Sequence, residues 1–144
     1  MSTDDRLSEL RNLIAQATNE SEQLRQEQLE LLPAARGSKA STTAIAAAFG
    51  ISRAAFYKNG YDKIGAGSEG DPARREELLE RIRELEASRA EIAAQIGPWR
   101  QERDAEILNE LAADDRPKWG ELAARSGVSE EWISRLKQGK AGTR

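Results

Sequence analysis

The sequence predicts an all-α protein, and three observations predict it. Ala, Glu, Leu and Arg dominate its 144 residues, and all four are good helix formers. Apolar residues recur three and four positions apart along two long stretches. β-Branched runs are missing and aromatic residues are only 5% of the chain, so nothing reads as a strand. An apolar fraction of 38% beside a charged fraction of 33% suits helices with a narrow apolar stripe, not a large globular core.

Residues 3 to 32 read as the first long helix. Leu7, Leu10, Ile14, Ala17, Ser21, Leu24, Gln28 and Leu31 follow heptad spacing, with two polar interruptions. Ser2 or Thr3 can cap its start, with Asp4 and Asp5 facing the positive end of the dipole. Pro33 is expected to end it, and "PAARGSKAS" to form a basic loop hinged at Gly37. Two short helices fill residues 42 to 59. "GAGSEGDP" then reads as a linker, after which Asp71-Pro72 restarts a helix, Asp as cap and Pro at the first position.

Residues 72 to 96 read as the second long helix. Leu78, Ile82, Leu85, Ile92 and Ile96 form its stripe, with Arg89 breaking the seam. Gly97-Pro98 is expected to stop it, leaving a separate helix from about 98 to 113. Pro117 opens the last segment. The expected domains are residues 1–64, a linker at 65–71, residues 72–113, and residues 114–144. Trp99, Trp119 and Trp132 read as core or inter-helix anchors, and Tyr61 as a packing residue.

The chain contains neither Cys nor His. Disulfides, Cys/His zinc sites and triads that need His or Cys are therefore excluded. The Glu-rich run from 76 to 91 reads as a solvated face, not as acid–base or metal chemistry. No catalytic residue, metal or cofactor is expected, and no small-molecule ligand is evident. No stretch approaches the roughly 20 apolar residues that span a bilayer, and no signal peptide is visible. A cytoplasmic protein without a membrane partner is the expectation.

Two stretches repeat one order of residues 77 positions apart, "AIAAAFGISRAAFYKNG" and "ELAARSGVSEEWISRLKQGK". Ala46 and Ala123 are small enough for two helices to cross closely. Gly50 and Gly127 tolerate the positive φ of a tight turn. Ile51 and Val128 plug the space beneath it, and Ser52 and Ser129 cap the second helix. Phe56 and Ile133 point back into the core. Each residue has a steric reason to be there, and together they spell the helix-turn-helix. The fold class is thus all-α, two helix-turn-helix units with long amphipathic, coiled-coil-like helices.

The net charge of −3 conceals a pattern. Residues 33–64 carry 5 basic and 1 acidic side chains, and residues 116–144 carry 7 and 3. Residues 1–32 carry 3 and 7, and residues 65–115 carry 7 and 14. Both repeated motifs therefore lie in the two basic segments, and screening to about 8–10 Å makes local charge the quantity that matters.

The first motif resembles the DNA-binding domains of the tetracycline-repressor family, through Ile45, Ala46, Gly50, Ile51, Ser52, Phe56 and Tyr57. The chain departs from that family by turning off at Asn59-Gly60, and it lacks the family's large ligand-binding domain, so an inducer does not carry over. The second motif is similar to the Cro-like phage repressors, through Leu122, Ala123, Gly127, Val128, Ser129, Ile133, Ser134, Arg135, Leu136 and Gly139. Each resemblance covers about 20 residues.

A helix-turn-helix places its second helix in the major groove. In the first motif the candidate contacts are Ser52, Arg53, Ala54, Tyr57 and Lys58, with Lys39, Thr42 and Thr43 placed for phosphate. In the second they are Lys118, Ser129, Glu130, Ser134, Arg135, Lys137 and Lys140. Glu130 and Glu131 suit the helix dipole and can accept from cytosine, yet they repel phosphate. The expected partner is double-stranded DNA, bound by a homodimer paired through its heptad helices, as in a transcriptional regulator of bacterial, phage or mobile-element type. Two alternatives remain open. One is a DNA-packaging or transposition accessory protein, similar in layout to small-terminase subunits. The other is a helical protein-interaction module.

Overall fold

The computed structural model describes residues 4–113 and 118–139. Its α-helices are α1 (Asp4–Gly37), α2 (Thr42–Ala48), α3 (Arg53–Lys58), α4 (Arg75–Ala112), α5 (Trp119–Ser126) and α6 (Glu130–Lys137). Short 3₁₀ turns occupy Tyr61–Lys63 and Pro72–Arg74. Among the described residues there is no strand, and no helix is long and apolar enough to cross a membrane. The expected caps at Ser2 or Thr3, the opening at Pro117 and the contact residue Lys140 lie outside the described residues.

The chain forms two compact units. The first is Asn19–Ala93, and the second combines Met1–Thr18 with Ala94–Arg144. This grouping cuts across the linear division expected at residue 64, because α1 and α4 each contribute to both units. Within the first unit α1 and α4 run antiparallel: Gln28 Nε2 donates to the Ile82 carbonyl, and Arg89 Nε to the Ser21 carbonyl. The polar interruptions in the two stripes thus face each other, and each finds a partner there.

The long helices are longer than their prolines suggest. Pro33 does not end α1, which runs on to Gly37, and Pro98 does not stop at the head of a new helix but lies inside α4. A proline inside a helix loses one hydrogen bond and crowds the carbonyl four residues back, at about 3 kcal/mol. Apolar anchors on both sides offset that cost. Leu32 and Ala35 are buried around Pro33, and Ile96 and Ile107 around Pro98. At Asp71-Pro72 the expected restart is present, with Asp71 accepting from Ala73 N–H at 2.9 Å, but its first turn is 3₁₀.

Gly37 is not a hinge. A Cβ there would stand 2.6 Å from the Glu69 carbonyl carbon, so glycine is required for close approach of the loop that precedes α4. The chain reverses two residues later. Ala40 N–H bonds to Ala35 O and Lys39 N–H to Arg36 O, a Schellman end with Lys39 in the left-handed region at φ 68°.

The first core joins Leu32 and Ala35 of α1, Ile45, Ala46, Ala48 and Phe49 of α2 and its cap, Phe56 of α3, and Leu78, Leu79 and Ile82 of α4. The second joins Leu7, Ile107, Leu111, Leu122, Ile133 and Leu136, with Trp119, Val128 and Trp132 packed against it. Each fully buried side chain of this size contributes about 1.5–3 kcal/mol. The two short helices of each unit therefore owe their order to these cores, since helices of six to eight residues do not hold alone.

Candidate nucleic-acid interface

The first turn is built as its residues require. Gly50, at φ 72°, occupies the left-handed position after α2, with Gly50 N–H bonded to Ala47 O and Ile51 N–H to Ala46 O. Ser52 Oγ accepts from Ala55 N–H at 3.0 Å and starts α3. Phe56 is fully buried beneath, and Ala46 is buried where α2 meets α3. The second turn repeats the plan. Gly127 sits at φ 76°, Ser129 Oγ accepts from Trp132 N–H at 3.1 Å, and Ile133 is fully buried.

With Phe56 turned inward, α3 presents Arg53, Ala54, Tyr57 and Lys58 outward, all exposed. Three expected contacts come together there. The Arg53 guanidinium carbon lies 5.8 Å from the centre of the Tyr57 ring, and Thr42 lies close enough to the Tyr57 phenol to influence its ionisation. The Arg53 guanidinium, and then Thr42, hold the Tyr57 phenol below the ordinary tyrosine range. Tyr57 is nonetheless 46% exposed, so its oxygen remains reachable. Thr42 is half-buried at the start of α2, and Thr43 beside it is exposed.

Lys39 is exposed immediately before α2, and it is the non-glycine residue of positive φ among the described residues. A left-handed lysine costs roughly 1–2 kcal/mol. Where glycine is usual and lysine stands instead, the side chain itself is the reason to look for. None of Lys39, Arg53 and Lys58 forms an ion pair among the described residues. Arg36, also in this basic segment, donates to the Asp62 carbonyl.

The second pair differs. Arg135 is tied to Glu131 at 3.1 Å, and Arg125 to Glu110 at 2.9 Å, the latter half-buried. Lys137 Nζ lies over the Trp119 ring at 5.7 Å. Ser134 Oγ accepts from Gln138 Nε2. Glu130 and Lys118 are exposed, and Lys118 makes no capping bond. Among the described basic residues of this segment, Arg125 and Arg135 are thus paired to acids and Lys137 to an aromatic ring, while Lys118 stays exposed. The hydroxyls of Ser52 and Ser129 serve first as helix caps, which leaves each its O–H to donate.

Sequence reasoning missed a polar layer behind the first turn, formed by buried Gln28 with half-buried Arg25, Glu86 and Arg89. Its signal was present, because Gln28 and Arg89 are, with Ser21, the polar residues at stripe positions. Trp132, expected as an anchor, donates its indole N–H to Asp104 Oδ1 at 3.0 Å. The described residues hold no group of three or more acidic side chains placed for a metal ion. Family models, curated proteins and solved structures gave no match to this chain.

Proposed function

We propose that this chain binds double-stranded DNA sequence-specifically, with the first helix-turn-helix as its reader, as a transcriptional regulator of bacterial, phage or mobile-element type does. The observation that carries the reading is the exposed pair of Arg53 and Tyr57 on the outer side of α3, next to Thr42 at the start of α2, with no acid in an ion pair with Arg53. Arg53 is placed to read guanine, and Tyr57, Thr42 and Lys39 to hold phosphate.

Useful affinity asks for two readers about one DNA turn apart. A homodimer is the simplest way to supply them. It would need a surface other than the apolar stripes of α1 and α4, because Leu7, Leu78 and Ile82 are already taken up by the cores of their own units. The paired arginines and exposed Glu130 and Glu131 of the second helix-turn-helix favour a different role for it, docking to protein.

Selection of bound sequences from a random duplex pool tests the reading, followed by a salt titration on the selected duplex. Neutralising about six phosphates gives a log–log slope near −5. Binding that ignores salt, or no binding at low salt, rejects it. Molar mass in solution separates a dimer from the large ring that a packaging or assembly role would require.

A further inference from the structure

Glu86 of α4 gathers donors on one oxygen. Its Oε1 accepts from Gln28 Nε2 at 3.2 Å and Arg89 Nη1 at 3.0 Å, with Arg25 Nη2 3.5 Å away. The same side chain lies against the first turn, where a Cβ on Gly50 would stand 3.2 Å from Glu86 Cγ. Arg25 faces the aromatic cluster, its guanidinium carbon 5.2 Å from the centre of Phe49 and 5.9 Å from that of Tyr61. The ring contacts continue outward. Tyr61 meets Phe56 edge-on at 5.9 Å, and Phe56 meets Tyr57 edge-on at 6.1 Å.

Stability alone does not account for this layer. A half-buried ion pair loses part of its hydration, and an apolar layer of the same volume is often as stable. Arg25 Nη1 and Gln28 Oε1 are moreover buried without a hydrogen-bond partner in the protein. What the layer does is grip both sides of one turn, through Gly50 and through Phe49.

We infer that the Arg25–Glu86 pair positions the first recognition helix, fixing the Phe49–Gly50 turn against α1 and α4 and so the direction in which Arg53 and Tyr57 project. Its consequence for binding rests on the DNA reading above; its consequence for geometry does not. Both are positioning residues, with side chains only 18% and 27% exposed.

The test uses the full chain with three substitutions. Glu86→Gln keeps an acceptor oxygen for Gln28 and Arg89 but removes the charge. Arg25→Met keeps an apolar stem over the rings and removes its charge. The third variant carries both changes. Two quantities are measured: affinity for the selected duplex relative to an unrelated duplex, and backbone amide shifts over residues 49–58. Each single variant is expected to lose on the order of three- to tenfold in that ratio. Affinity for the unrelated duplex stays the same, and the α3 amides move. The double variant, which removes both members of the pair and leaves Arg89 on the Ser21 carbonyl and on the amide oxygen introduced at position 86, recovers part of the loss.

A layer that merely stabilises would lower the thermal midpoint and weaken both duplexes alike, and that result overturns the inference. So do single variants with wild-type selectivity and unmoved amides. If the unaltered chain binds no duplex while the variants' α3 amides move, the positioning role stands and the DNA reading falls.

Discussion

Arg53 and Tyr57 lean on one another across one turn of α3, the guanidinium carbon 5.8 Å from the ring centre. The contact holds the phenol below the ordinary tyrosine range. Ionisation of Tyr57 removes an O–H donor and adds a negative charge to the surface that the proposed DNA reading turns toward phosphate. The phenol ionises as pH rises, so DNA affinity is full below its lowered pKa and falls above it, earlier than a free tyrosine would dictate. Tyr57→Phe should lose about three- to tenfold in affinity at neutral pH and should lose the alkaline decline. Duplex affinity against pH, alongside phenolate absorbance, checks this. A decline that persists in Tyr57→Phe belongs to another group.

Arg53 and Lys39 should fail in different ways. On the proposed DNA reading Arg53→Ala removes a base-edge contact, so sequence preference should relax at one base pair by about 1–3 kcal/mol. Lys39→Gly removes a phosphate cation and relieves a left-handed lysine. Binding to every duplex should weaken alike, with the salt slope reduced by about one. The thermal midpoint should rise at the same time, because glycine relieves roughly 1–2 kcal/mol of backbone strain. A variant that loses stability instead would show that Lys39 holds the turn by contacts of its own.

The two turns were legible in the sequence because each rests on local sterics. Gly50 and Gly127 take positive φ, Ser52 and Ser129 cap, and Phe56 and Ile133 are buried, all as spacing alone requires. The stripes of α1 and α4 were legible for the same reason. Their partners were not, because heptad spacing says that a face is covered but not by what. The helix ends at Pro33 and Pro98 were misread because local backbone chemistry lost to tertiary burial on either side. Gly37 was misread because its need is distant: it is set by Glu69, which no local pattern reveals. At the site, charge counting placed both motifs alike, whereas pairing to Glu110 and Glu131 separates them.

The two interior prolines should respond unequally to replacement. Pro98 is exposed within α4, so Pro98→Ala restores a helix hydrogen bond and removes crowding with little packing lost. It should stabilise by about 1–3 kcal/mol. Pro33 is half-buried, with Gly65 backed against it, so Pro33→Ala also loses contact and should gain less. Urea midpoints of the two variants give the comparison. A destabilised Pro98→Ala would mean that the proline bends α4 in a way its neighbours require.

Gly65 and Gly60 both adopt positive φ, at 71° and 76°, yet they should differ sharply when changed to alanine. At Gly60 an added Cβ meets nothing within 4 Å, so only the left-handed penalty applies, about 1–2 kcal/mol. At Gly65 the same atom would stand 2.5 Å from Pro33 Cα, and backbone cannot step aside as a long side chain can. Overpacking adds about 1–3 kcal/mol there. Gly65→Ala should therefore unfold at a clearly lower urea concentration than Gly60→Ala. Gly60 stands two residues after Lys58, the end of α3, so its variant also serves as a control for binding: it disturbs the end of α3 without touching Pro33. If the two variants unfold together, the close approach of residue 65 to α1 does not persist in solution, and the loop preceding α4 is held by its other contacts, those at Gly37, Arg36 and Tyr61.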